Sequence, residues 1–239
     1  MNQNFVEPFR FDRYPWPPPG RITSNRFLTN FKPLGGGTFR ICYLGEDRFT
    51  SQPIVIKRLR QHHPMEESYW KDDIYLSRVA QQFADRFNAI MQTSKSIRFI
   101  QPIIDEWKPR GHAPLRRGEK ALVEPYLGAN YEKFNSNTGE EYRNHGLSMG
   151  AFSHFTYHIS GGRMLVCDLQ GVRTRDKYIL TDPVICSLEQ TYGVTDTGEA
   201  GIRSFFYFHR CTDLCESTWR KHPSPKRHPA VTPKTTYLV

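Results

Sequence analysis

Two carboxylates, Asp168 and Asp182, lie 14 residues apart in segments whose neighbours suit phosphoryl chemistry. In Cys167-Asp168-Leu169-Gln170-Gly171-Val172 an acid and an amide are two residues apart, just after the strand-like run Met164 to Cys167. On an extended segment, residues i and i+2 point to one face. That spacing offers two hard oxygen ligands to Mg²⁺, which prefers carboxylate, carbonyl and water. Asp182, in Leu180-Thr181-Asp182-Pro183, adds a second carboxylate. Two acids flanking one cleft divide the labour: one holds metal on the phosphates, the other orients a hydroxyl and accepts its proton. Taken singly, each Asp also suits a turn, and Asp-Pro is a common turn former.

A cation for phosphates lies upstream. Lys57 ends the apolar run Ile54-Val55-Ile56, about one hairpin after Gly35-Gly36-Gly37-Thr38-Phe39-Arg40. Glycine lets backbone N–H groups approach an anion because no Cβ intervenes. The loop is neither a Walker A nor a GxGxxG loop. Loop, strand and lysine in this order have the form used by protein kinases. No His-Arg-Asp and no Asp-Phe-Gly occurs anywhere, which excludes an ordinary protein kinase.

A third constellation is metal-like. His209-Arg210-Cys211-Thr212-Asp213-Leu214-Cys215 supplies three zinc-type ligands within seven residues. Thiolate and imidazole suit tetrahedral Zn²⁺, and four protein ligands make a closed, structural site. The fourth ligand must come from elsewhere; His154 and His158 are both available on one predicted helix.

The elements that must position these groups follow from periodicity. Leu76, Ala80, Phe83, Phe87 and Ile90 recur at spacings of four and three, which predicts a helix within Glu66 to Met91. Leu147 to His158 and Ile202 to His209 also read as helices, and Phe39 to Leu44, Ile54 to Lys57, Lys120 to Leu127 and Met164 to Cys167 as strands. The result is an α+β or mixed α/β fold. Its organised part begins near Asn30 and ends near Trp219, between a Pro/aromatic-rich leader (1–29) and a basic, Pro-broken tail (221–239).

The 239 residues suffice for one large domain or two small lobes around a cleft, and 38% hydrophobic content argues against wholesale disorder. A formal charge of +9 favours anionic partners without choosing among them. Nucleic acid is disfavoured, because the charge is dispersed and no zinc-finger spacing occurs. No run of ~18 apolar residues predicts a membrane span. Five cysteines without a secretory signal suit a reducing, cytoplasmic setting and metal ligation.

Read together, the motifs resemble the alpha-kinase family. The resemblance runs from about residue 30 to 220. It is carried by Val123-Glu124-Pro125-Tyr126-Leu127 with Tyr131-Glu132-Lys133-Phe134-Asn135-Ser136-Asn137-Thr138-Gly139, then Ala151-Phe152-Ser153-His154-Phe155-Thr156-Tyr157, the Asp168 and Asp182 blocks, and Phe205-Phe206-Tyr207-Phe208-His209 with Cys211 and Cys215. It implies a two-lobed atypical kinase fold, with an N-lobe over about 30–123, a hinge over about 124–128 and a C-lobe over about 129–220 containing an integral zinc site. It implies an ATP-dependent protein serine/threonine kinase acting on a protein Ser/Thr acceptor. Lys57, with Gly36, Gly37 and Arg40, would meet ATP phosphates. Glu124 and Tyr126 would meet adenine, mainly through backbone. Asp168 and Gln170 would hold Mg²⁺, and Asp182 would be the catalytic Asp. His154, His209, Cys211 and Cys215 would hold zinc, with His154 preferred over His158. The resemblance also places an acidic partner for Lys57 on the helix from Glu66, with Asp72 or Asp73 as candidates, and autophosphorylation at Thr232, Thr235 or Thr236. Three features depart from the family. Asp196, which the resemblance places among the nucleotide-binding residues, stands in Gly193-Val194-Thr195-Asp196-Thr197-Gly198 where Asn is usual, and its negative charge near the phosphates would weaken binding of nucleotide or an acidic substrate unless it faces Mg²⁺ or a basic peptide. Arg173 to Lys177 reads as an inserted polar turn. The channel, coiled-coil or propeller partners of some relatives are missing. A catalytically impaired homologue is the alternative reading.

Overall fold

The computed structural model describes residues 21–22, 26–36, 40–60, 66–106, 118–142 and 147–228. Gly37, Thr38, Phe39, the tail threonines and most of the leader lie outside these. In chain order the elements are β1 (Arg21–Ile22), β2 (Phe27–Gly36), β3 (Arg40–Asp47), β4 (Gln52–Leu59), α1 (Glu66–Met91), β5 (Ser96–Phe99), β6 (Ile103–Glu106), β7 (Lys120–Pro125), β8 (Glu132–Lys133), α2 (Leu147–Ile159), β9 (Met164–Cys167), β10 (Gln170–Arg173), β11 (Lys177–Thr181), β12 (Val184–Ser187) and α3 (Gly198–Phe208). The chain divides into two compact units.

The first unit takes in residues up to Ile74 and Gln101–Ala129. Its sheet has the order β1-β6-β7-β4-β3-β2, antiparallel except where β1 joins β6. Alternate residues of β4, β6 and β7 form one core face: Ile54, Ile56, Ile103, Ala121 and Val123, with Phe27. On the opposite face, Leu122 and Ile104 pack against Trp70 and Ile74 from the first turns of α1. The Trp70 indole N–H donates to the Lys120 carbonyl (3.1 Å), which fixes the ring. β3 and β4 are joined by a turn around Asp47, whose carboxylate accepts from the Phe49 N–H (3.0 Å) and pairs with Arg26.

The second unit comprises Tyr75–Ile100 and the chain from Asn130. It holds a sheet of order β5-β11-β10-β8, the ribbon β12-β9, and helices α2 and α3. Tyr75–Ile100 belongs here although it precedes the expected hinge in sequence. The reason is the apolar stripe of α1: Leu76, Ala80, Phe83 and Phe87 are buried with Phe99, Phe152 and Phe155. Phe87 meets Phe152 and Phe155 edge-on at 5.5 and 5.3 Å. Such aromatic pairs add about 0.5–1.5 kcal/mol each beyond their burial. Ile90, expected on that stripe, is instead 54% exposed, and the last residue of the helix, Met91, packs against the core in its place. β7 stops at Pro125, two residues short of the predicted end; proline cannot donate to a ladder. No helix among the described residues is long and apolar enough to cross a membrane.

Candidate active site and metal centre

In the first unit Lys57 is buried on β4. Register aligns Val55 with Glu124, so Lys57 and Glu124 are diagonal neighbours on one sheet face. Lys57 Nζ lies 2.7 Å from Glu124 Oε2, with the side chains 5% and 4% exposed. Glu124 on the adjacent strand is thus a carboxylate partner of Lys57 that the expectation of an acid on α1 did not include. Asp73 of α1 instead pairs with Arg40 (2.7 Å), whose guanidinium also lies over the Trp70 ring (5.5 Å). Helix α1 thus orients the expected phosphate-side arginine. Gly36 closes β2 where a Cβ would fall 2.7 Å from the Arg40 carbonyl, so the chain needs glycine there. The Tyr126 N–H donates to the Pro53 carbonyl (3.0 Å), and burial pushes its phenol above the ordinary value.

A buried ion pair broken on one side leaves an uncompensated charge, at a cost of about 3–5 kcal/mol. Glu124→Leu and Lys57→Met are each expected to destabilise by about that amount, and Lys57→Met/Glu124→Leu together to recover most of the loss. Urea unfolding of the three variants measures this; strictly additive losses would contradict the pairing.

In the second unit β10 and β11 form an antiparallel hairpin whose last pair is Gln170↔Thr181. Asp168 and Asp182 flank that open end. The expected insertion, Arg173 to Lys177, is the hairpin tip, where the Thr174 hydroxyl donates to Asp176 (3.1 Å). Asp168 is not on an extended segment as expected. It has φ 56°, and Asp182 has φ 50°. A non-glycine residue in the left-handed region costs on the order of 1–3 kcal/mol and persists only where its surroundings over-determine it. The turn at Asp168 still brings acid and amide together: the Gln170 side-chain amide donates to Asp168 Oδ2 (3.0 Å). Oδ1 lies 2.7 Å from the Lys133 ammonium, delivered by β8. Burial raises the Asp168 carboxyl above its ordinary value, Lys133 opposes this, and the nearby charge of Asp182 adds to it. A carboxylate already facing a cation, an amide beside it and a second carboxylate in range suit a hard divalent ion such as Mg²⁺.

Asp196 organises its own loop. Its oxygens accept from the N–H groups of Ser187 (2.8 Å), Tyr192 (3.2 Å) and Gly198 (2.9 Å), and from the Ser187 hydroxyl (2.6 Å). Asp196→Ala is expected to cost about 2 kcal/mol, since buried donors are left unmet. Thermal unfolding and protease susceptibility within 188–195 measure it; an unchanged midpoint would refute that role.

The metal-type residues converge. Ligand atoms of His154, His209, Cys211 and Cys215 all lie within 4.8 Å of one another. Cys211 Sγ is 3.7 Å from His154 Nδ1, and Cys215 Sγ is 3.6 Å from His209 Nε2. Tetrahedral Zn–S and Zn–N bonds of ordinary length put sulfur and nitrogen about 3.6 Å apart. The other ring nitrogens are tied down: His154 Nε2–H donates to the Arg220 carbonyl (2.9 Å), and His209 Nδ1–H to Glu141 (2.7 Å). A carbonyl only accepts, so the Nδ1 lone pair of His154 faces the cluster, the arrangement that orients metal-bound imidazoles. Gly150 makes room for this, because a Cβ there would lie 2.3 Å from Glu141 Oε1. His209 is the C-cap of α3, turned out of the helix at ψ 130°. His158 is not in the cluster; it stacks on Trp219 and accepts the Arg220 N–H (3.2 Å). Sequence reasoning missed Glu141, Trp219 and the Arg220 carbonyl. No local pattern marks them, and Glu141 is 68 residues from His209.

Residues 35–215 match the family model "Alpha-kinase family". Myosin heavy chain kinase B of Dictyostelium discoideum is 28% identical over 197 residues, covering 81% of this chain and 26% of that protein. Eukaryotic elongation factor 2 kinase of Rattus norvegicus is 31% identical over 220 residues, covering 87% and 29%. The chain thus spans about a quarter to a third of the length of these curated relatives. Among solved structures, an alpha kinase from Entamoeba histolytica superposes with a TM-score of 0.71 at 25% identity, covering 89% of this chain and 85% of that one. The inactive alpha-kinase domain of myosin-II heavy chain kinase A complexed with ATP has the same fold, with a TM-score of 0.68 at 24% identity, covering 79% and 87%. Motif order, fold and the span of the family match agree, and the chain belongs to the alpha-kinase family, whose named relatives here are protein kinases.

Proposed function

We propose that the chain transfers the γ-phosphoryl group of MgATP to a Ser or Thr hydroxyl of a protein substrate in the cytoplasm, through a kinase domain over residues 30–220. The observation that carries this reading is the pair of left-handed aspartates flanking one hairpin end, the first already against a cation and an amide. Lys57, Gly36, Gly37 and Arg40 bind the phosphates, and the main chain of Glu124 and Tyr126 meets adenine. Asp168 and Gln170 hold Mg²⁺, which when bound neutralises charge developing on the phosphates. Asp182 orients the acceptor hydroxyl and takes its proton as the oxygen attacks phosphorus. Transition states of this kind need positioning and charge stabilisation more than covalent chemistry. His154, His209, Cys211 and Cys215 hold a structural zinc, which when bound crosslinks α2 to the segment after α3. The impaired-homologue reading rested on Asp196, and its four bonds within its own loop weaken that motive.

The test is full-length protein with labelled MgATP and a generic basic protein, followed by phosphoamino-acid analysis. Label in phosphoserine or phosphothreonine supports the proposal. No label at any metal concentration, or label in phosphotyrosine alone, rejects it.

A further inference from the structure

Asn135 is fully buried and lies two residues past the end of β8. Its side-chain oxygen accepts the Leu169 N–H (2.8 Å), and its side-chain nitrogen donates to the Ser153 hydroxyl of α2 (3.1 Å). The Leu169 carbonyl accepts from the Phe134 N–H (2.8 Å) and more distantly from the Asn135 N–H (3.4 Å). Both polar backbone groups of Leu169 are therefore tied to the segment 134–135. Leu169 sits between Asp168, at φ 56°, and Gln170, the first residue of β10. A left-handed aspartate relaxes unless its neighbours are pinned. The side chain that pins the N–H is not backbone ladder but a single amide, itself locked by Ser153.

We infer that Asn135, bridging the Leu169 N–H and Ser153, is a positioning residue that holds Asp168 and Gln170 in the geometry that takes the divalent cation. It touches neither nucleotide nor acceptor and acts through Leu169. The inference rests on the assignment of Asp168 and Gln170 to Mg²⁺. The bracing itself is a property of the ligand-free chain, so the two can fail separately.

The test uses Asn135→Leu, which keeps the branched side-chain skeleton but cannot accept the Leu169 N–H, and Ser153→Ala, which frees the amide without removing it. Deuterium exchange of the segment 165–171 is read first, without ligands. Asn135→Leu is expected to lose protection at the Leu169 amide by about tenfold or more, Ser153→Ala by less, while the Phe87 and Phe155 segments stay protected. The half-saturating Mg²⁺ concentration for phosphoryl transfer is then expected to rise about tenfold in Asn135→Leu, with kcat at saturating Mg²⁺ within a few-fold of wild type. A merely structural role would lower the active fraction and leave the Mg²⁺ half-saturation unmoved, and that result overturns the proposal. Unchanged Leu169 protection in both variants also overturns it. Should Asn135→Leu not fold, Ser153→Ala carries both readouts in the same direction. Lost protection in a chain whose wild type transfers no phosphate would support the bracing and sink only the kinase reading.

Discussion

Asp182→Asn is expected to lower phosphoryl transfer by about 10³-fold while leaving the fold and nucleotide binding in place. A positioned base contributes about 10²–10⁴-fold when it accepts a proton as the nucleophile attacks. Asparagine matches the shape of aspartate and tolerates φ near 50°, so the backbone strain is unchanged. Alanine would add a backbone penalty and confuse the result. The charge of Asp182 also raises the Asp168 carboxyl, so its removal eases ionisation of Asp168 rather than hindering it. Nucleotide affinity should therefore hold or improve as transfer collapses. Single-turnover labelling and nucleotide binding on one preparation separate the two. A variant that transfers phosphate within tenfold of wild type removes Asp182 from the chemistry.

Removing the metal is expected to unfold the second unit near physiological temperature. Cys211→Ser/Cys215→Ser, or chelation of the purified chain, should abolish stoichiometric zinc and lower the melting midpoint by at least 10 °C. The cluster joins His154 on α2 to three residues past α3, with no disulfide to substitute for it. Zinc binding to such ligands is folding free energy, about 10–16 kcal/mol at neutral pH in small zinc modules. Even a third of that shifts the midpoint by about 10 °C or more in a chain of this size. The pH dependence has a definite sign. Burial holds the metal-free His154 imidazole down to about 4, against an ordinary value of 6.5. The unfolded chain therefore binds more protons than the folded one between those values, and stability falls as pH drops through that window. Protonation also competes with the metal, so acid releases zinc and unfolds the unit together. Inductively coupled plasma analysis alongside calorimetry tests this; a double cysteine variant that keeps one zinc per chain, or a chelated chain with an unmoved midpoint, would refute the structural metal.

The amino-acid order alone determined what local rules can reach. The stripe of Leu76, Ala80, Phe83 and Phe87 marked α1, and Met164 to Cys167 marked β9, because side-chain period is a property of neighbours in sequence. The His209, Cys211 and Cys215 spacing marked a cluster of metal-type side chains, which the fold brings together, since all three sit within two turns of chain. The spacing of Asp168 and Asp182 identified two acids but assigned Asp168 the wrong backbone, because a left-handed aspartate after a strand leaves no periodic trace. What only the tertiary structure decided are the long-range choices: Glu124 against Lys57, Asp73 against Arg40, Glu141 behind His209, and Asn135 under Leu169. His154 and His158 lie four apart on one helix face, so sequence leaves them equivalent until packing sets one on Cys211 and the other on Trp219. Strand register and helix packing place such groups, and neither is encoded within the few residues over which a pattern can be read.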